Sequence, residues 1–147
     1  MKTFLSTLSL SEEQTLQLAY DFGKQLPSNS VVCFYGDLGA GKTTFIKGLA
    51  TGAADYSPLE VNSPTFVFLN IYEGTRTIYH FDLYRLHKAE EFLSMGFDET
   101  LESGGICCIE WAERIHSLIP PLAYHINIQH HAENGRQITI TQSGLAK

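Results

Sequence analysis

Positions 36 to 43, Gly36-Asp37-Leu38-Gly39-Ala40-Gly41-Lys42-Thr43, satisfy G-x-x-x-x-G-K-[ST] at every required place. The spacing has a chemical reason. Glycines let the backbone turn so that successive N–H groups converge, and converging N–H groups bind phosphate oxygens. A helix that starts directly after the loop adds the positive end of its dipole. Lys42 can then reach the β- and γ-phosphates as a point charge, Thr43 can offer a hydroxyl to Mg²⁺, and Thr44 can bond a nearer phosphate. Gly36 through Thr44 thus reads as a phosphate cradle. The apolar "SVVCFY" before it and the helix-like "KTTFIKGLATG" after it supply the strand and helix that such a cradle requires.

A phosphate-bound magnesium needs a further anchor, a carboxylate at the end of an apolar strand. Asp82 after "IYHF" and Glu110 after "ICCI" both qualify. The run before Glu110 is the more continuously apolar, which suits a strand beside the cradle strand, and Glu110 is preferred for the metal. Composition alone leaves the two roles interchangeable. Thr65 in "NSPTF" could touch a γ-phosphate or its metal as switch threonines do, although Ser63-Pro64-Thr65 also makes an ordinary loop. Trp111, the only tryptophan, directly follows Glu110 and reads either as packing or as part of the chemistry. His80 shares a strand face with Asp82 by period two, which allows it a supporting hydrogen bond; His130 and His131 should face water. Cys33, Cys107 and Cys108 have no metal or redox spacing and read as buried reduced thiols.

The elements that must position these groups follow from periodicity. "SEEQTLQLAYDFGKQL" is the first clear one, a helix capped by Ser11 with Gln14 completing a capping box, and stopped by Pro27. The helix after the cradle should end near Gly52. "PTFVFLNIYEGTRTIYHFDLYRL" holds two β-rich runs about the turn "EGTR". A helical stretch around "KAEEFLSMGFDETLES" leads into the buried strand "GICCIEW", and "AYHINIQHHAENGRQITITQ" is a second hairpin about "ENGR". The expected fold is therefore α/β with a mixed sheet, parallel strands around the cradle and antiparallel ones added.

Bulk properties narrow the classes. The chain of 147 residues, 44% hydrophobic, suits one domain spanning 1–147. A net charge of −6 with ten Lys and Arg argues against a general nucleic-acid backbone binder. No apolar run approaches a membrane span, and "MKTFLSTLSLSEEQ" lacks a leader's apolar core, which predicts a cytoplasmic protein.

"GDLGAGKTT", "NSPTF", "YHFDLYRL", "MGFDE" and "IEWAERI" follow one another as in the bacterial TsaE (YjeE) family, and the chain resembles that family over nearly its whole length. The resemblance implies a small P-loop ATPase, three-layered around a mixed sheet. Such an ATPase is required for N6-threonylcarbamoylation of adenosine 37 in tRNAs that read ANN codons. It implies work with TsaB and TsaD, a separate TsaC-type enzyme making threonylcarbamoyl-adenylate, and tRNA touched indirectly or weakly. Carried over by motif, Gly36 to Thr44 would hold ATP or ADP, Thr43 and Glu110 would hold Mg²⁺, and Asp82 would serve hydrolysis. Thr65 would lie in a switch-like loop, Trp111 would matter for activity or partner contact, and Thr15 and Arg136 would lie near the base. One departure is Asn70, where relatives often carry an acid. Two other readings compete: a small-molecule P-loop kinase, disfavoured because four dispersed arginines offer no lid, and a scaffold gated by nucleotide binding alone. A guanine-reading N-K-x-D is absent from the sequence.

Overall fold

A computed structural model describes residues 2–36, 41–62 and 68–142. Seven strands form one sheet: β1 (Lys2–Ser9), β2 (Val31–Tyr35), β3 (Leu69–Glu73), β4 (Thr77–Asp82), β5 (Ile106–Glu110), β6 (Tyr124–His131) and β7 (Gly135–Gln142). Their spatial order is β1-β7-β6-β2-β5-β4-β3. The four central strands, β6, β2, β5 and β4, run parallel. Antiparallel pairs β3–β4, β6–β7 and β1–β7 complete the two sides. The expected mixed sheet is present, and both hairpins form where their turn residues stand.

Two helices, α1 (Glu12–Lys24) and α2 (Lys42–Ala54), cover one face. Alternation along the strands decides what each face meets. Val32, Phe34, Ile106 and Cys108 turn toward α1 and α2, where they pack with Ala19, Phe45, Ile46 and Leu49. Val31, Cys33, Cys107 and Ile109 turn the other way, against Phe92, Leu101 and Ile115. These last belong to a layer made by α3 (Ala89–Ser94), α4 (Phe97–Thr100), its exit at Leu101, and a kinked 3-10 segment, Ala112–Leu118. The result is a three-layer α/β arrangement. Burying each Phe or Ile of these faces contributes about 1.5–3 kcal/mol.

Local chemistry sets the helix limits. Ser11 Oγ accepts from the Gln14 N–H at 3.1 Å, and Gln14 Oε1 accepts from the Leu10 N–H at 2.7 Å. The reciprocal cap thus forms, displaced by one residue from the simple box. α2 runs on past Gly52 to Ala54, because Asp55 adopts the left-handed turn (φ 55°) that ends it. Gly52 is there for packing: a side chain at that position would meet the backbone of Tyr20 on α1. The stretch read as one helix around 88–103 is two, broken at Gly96 (φ 75°). β1 was not among the expected elements; its pairing with β7 makes it a strand.

Candidate nucleotide site

The parallel strands β2, β5 and β4 deliver their carboxyl ends to one place, the side of the sheet on which α2 begins. β2 ends at Tyr35, and Gly36 follows with φ 142°, where a Cβ would collide with the Ile128 carbonyl of β6. Glycine is required here both for the backbone angle and for the approach of β6. Gly41 (φ 105°, ψ 18°) stands at the N-cap of α2 without a side-chain cap. Gly41 thus offers the first N–H groups of α2 no side-chain cap, which suits a helix N-terminus that accepts an anion. Lys42 Nζ donates to the Gly36 carbonyl at 3.1 Å, tying the two ends of the loop together. Thr43 and Thr44 follow, half-buried, in the first turn of α2. Asp37, Leu38, Gly39 and Ala40 lie outside the described residues, as does Thr65 with the rest of 63–67.

The two carboxylates meet. Asp82 and Glu110 are the last residues of β4 and β5, direct partners in the parallel register, and Glu110 also pairs with Phe34 of β2. β5 is therefore the neighbour of the cradle strand, as its continuous apolar run suggested, and β4 is one strand further out. Period two turns both carboxylates to the α2 side. They are buried, 7% and 6% exposed. Asp82 Oδ1 accepts from the Tyr84 N–H at 3.1 Å, and the Leu83 N–H donates to the Glu110 carbonyl at 3.1 Å. The supporting bond open to His80 goes to the second carboxylate: its Nε2 lies 2.7 Å from Glu110 Oε2, across the strand pair. Sharing a face with Asp82 along one strand was correctly read, but the nearer acceptor belongs to the adjacent strand.

Trp111 takes a left-handed backbone (φ 62°, ψ 40°) that swings the chain off β5 into the 3-10 segment. Its ring has Lys42 Nζ 5.6 Å from the centroid, the Arg114 guanidinium at 5.4 Å and the Tyr84 ring at 5.0 Å. Cation–π attraction thus places Trp111 against the lysine of the cradle. Thr15 and Arg136 are also brought together, in a cleft of about 70 Å³ that they share with Ser11, Glu12, Gly41, Thr44 and Asn134. The buried Thr15 hydroxyl is bonded to Ser9 Oγ at 2.7 Å, which joins the end of β1 to this cleft. Ser11, Glu12 and Asn134 were not legible as cleft residues, because the β1–β7 pairing that assembles them was not.

A family model described as threonylcarbamoyl adenosine biosynthesis protein TsaE matches residues 9–138. The chain belongs to the TsaE family. The tRNA threonylcarbamoyladenosine biosynthesis protein TsaE of Treponema pallidum (strain Nichols) is 40% identical to it over 133 residues, 90% of this chain and 97% of the relative. The protein of the same description from Bacillus subtilis (strain 168) is 36% identical over 137 residues, 92% of this chain and 84% of that one. The crystal structure of Bacillus subtilis YdiB aligns with a TM-score of 0.77 and 32% identity, covering 95% of this chain and 86% of the other. Membership of the TsaE family and the mixed-sheet fold, both expected from the motifs, are thereby borne out. Within the TsaE fold of this chain, the motif residues that fall in the described segments, Gly36, Gly41 to Thr44, Asp82, Glu110 and Trp111, share one end of the sheet.

Proposed function

We propose that this member of the TsaE family binds ATP with Mg²⁺ and hydrolyses it weakly alone. In the cytoplasm, the cycle would switch its engagement with TsaB and TsaD during tRNA threonylcarbamoylation. The observation that carries this reading is the in-register pair Asp82–Glu110, set beside the strand that leads into Gly36 and Lys42. The donors on offer fit magnesium. They are oxygens, the Thr43 hydroxyl and the Glu110 carboxylate, and among the described residues no group of three or more His, Cys, Asp or Glu could hold a metal unaided. An ion bound here draws its remaining ligands from phosphate and water, which is the habit of Mg²⁺. When bound, it neutralises charge on the transferring phosphate.

The chain's own residues do the rest. Lys42 exchanges its bond to the Gly36 carbonyl for one to phosphate oxygens, so its ammonium already stands at the mouth of the cradle when the ligand arrives. Asp82, held by the Tyr84 N–H, orients the attacking water and accepts its proton. Thr65 approaches the γ-phosphate, Thr15 and Arg136 flank the base, and ADP remains in the cradle after hydrolysis. Trp111 steadies Lys42 and offers its ring edge to a partner. The acidic chain leaves most tRNA contact to its partners.

Separate substitutions test the assignment. Lys42→Ala is expected to weaken ATP and ADP binding by at least about tenfold, as loss of one charge-assisted contact does. Asp82→Asn should leave ATP binding nearly intact and lower partner-stimulated hydrolysis by about 100-fold. Reconstituted tRNA modification, counted per TsaD, should then stop near one round. Full-rate hydrolysis and modification by Asp82→Asn would overturn the role of Asp82. Full modification without hydrolysis would instead favour a scaffold gated by binding, and GTP competing equally with ATP would contradict the base preference.

A further inference from the structure

His80 is an unusual residue for its place. It is 0% exposed in the middle of β4, on the face where its neighbours Ile78, Ile106 and Cys108 are apolar and fully buried. Burying an imidazole costs free energy unless both nitrogens are bonded. Both are. Nε2 lies 2.7 Å from Glu110 Oε2, and Nδ1 lies 2.8 Å from the Tyr72 hydroxyl. Tyr72 is buried on β3 and stacked on Tyr56 with ring centroids 4.8 Å apart. Its hydroxyl reaches the main chain of Asn62, 2.8 Å from the carbonyl and 3.3 Å from the N–H. Asn70 Nδ2 grips the same residue at both Oδ1 and the carbonyl, 3.1 Å each. A continuous row of hydrogen bonds thus runs from Asn62 across β3 and β4 to the carboxylate that ends β5.

Resting on the reading of Glu110 as a metal ligand, we propose that His80, held by Tyr72, is a positioning residue that aims the Glu110 carboxylate at a divalent cation. With Oε2 engaged by His80, the remaining oxygen, Oε1, is the one turned to the ion. Rotation of the carboxylate, which would otherwise have to be frozen on binding, is removed beforehand. The same row makes the main chain at Asn62 part of the support for the site. It gives Asn70 a job that an acid could not do in the same way, since only its amide N–H₂ can donate to the Asn62 carbonyl.

Mn²⁺ binding followed by electron paramagnetic resonance, with saturating ADP, separates the possibilities without relying on turnover. Tyr72→Phe, which removes one oxygen and keeps the ring, should weaken Mn²⁺ several-fold. His80→Leu should weaken it about 10- to 100-fold, the range seen when groups bonded to metal ligands are lost. ADP affinity in EDTA should be the same in both variants as in the unaltered chain. In a Glu110→Gln background neither substitution should weaken Mn²⁺ further, because their effect passes through that carboxylate. Unchanged Mn²⁺ affinity in Tyr72→Phe and in His80→Leu overturns the proposal. So does an equal loss of ADP affinity in EDTA, which marks a merely structural role. Should His80→Leu not fold, Tyr72→Phe carries the test by itself. If Glu110→Gln alone binds Mn²⁺ normally, it is the metal-ligand reading of Glu110 that fails.

Discussion

Single residues in this chain were readable where their chemistry needs only neighbours in sequence. Gly36, Gly41, Lys42 and Thr43 announce themselves because a phosphate cradle is one continuous loop. His80 does not, since its purpose depends on Glu110 and Tyr72, which stand on two other strands. The cysteines were readable by exclusion, and the structure gives them a measurable consequence. All three are buried and free. Burial pushes the Cys33 and Cys107 thiols from 9.0 up to about 12. It raises Cys108 well above its ordinary value too. Well below pH 9 these thiols are neutral folded or unfolded. As pH rises from 9 toward 12, the unfolded chain ionises while the folded one resists, so stability falls. The urea midpoint is expected to be level from pH 7 to 8.5 and to drop steadily above 9. A Cys107→Ala variant should show a shallower drop, and an identical slope would count against this origin.

At the scale of elements, buried runs and turn dipeptides were strong signals, and edges were weak ones. β2 and β5 are apolar throughout because both their faces are covered. β1 is mostly exposed along its length, so "KTFLSTLS" carries little patterning that separates a strand from a loose terminus. The α3–α4 break turns on one glycine inside an otherwise helical composition. The α1–α2 contact was invisible for a different reason: it depends on what is missing. A methyl on Gly48 would lie 2.8 Å from Ala19 Cβ and 2.5 Å from the Leu16 carbonyl, so the helices can touch only because that position is bare. Gly48→Ala gains helix propensity of about 1 kcal/mol but must push α1 away from α2, and overpacking of this kind costs about 1–3 kcal/mol. A lower melting temperature is the expected result of thermal denaturation. A higher one would show that α1 moves aside freely.

For the whole molecule, the sequence pointed to a mixed sheet but could not order it, because strand order is decided by pairings between segments far apart in the chain. Yet that order is what assembles the candidate site, drawing Asp82 and Glu110 from two strands, Gly36 from the exit of a third and Lys42 from a helix. A ligand gripping all of these binds only the folded chain. Mg²⁺ with ADP at 100 times its dissociation constant should therefore add about 2.7 kcal/mol of stability. For a chain of this size that raises the melting temperature by about 5–10 °C. EDTA should remove part of the gain, and Lys42→Ala should remove most of it. A melting temperature indifferent to nucleotide would contradict the proposed site.

β5 lies between β2 and β4, although it follows both in the chain. During synthesis, then, β2 and β4 emerge first and have no partner between them; neither can pair with the other without closing the slot that β5 must fill. Until residues 106–110 leave the ribosome, β4 has one open edge and β2, whose other neighbour β6 comes later still, has two, all of them exposed to wrong pairing. Insertion of β5 closes the two edges that face each other and brings in Glu110 in the same step. The proposed nucleotide site is thus completed late in the making of the chain, and an aborted product that ends before β5 lacks Glu110.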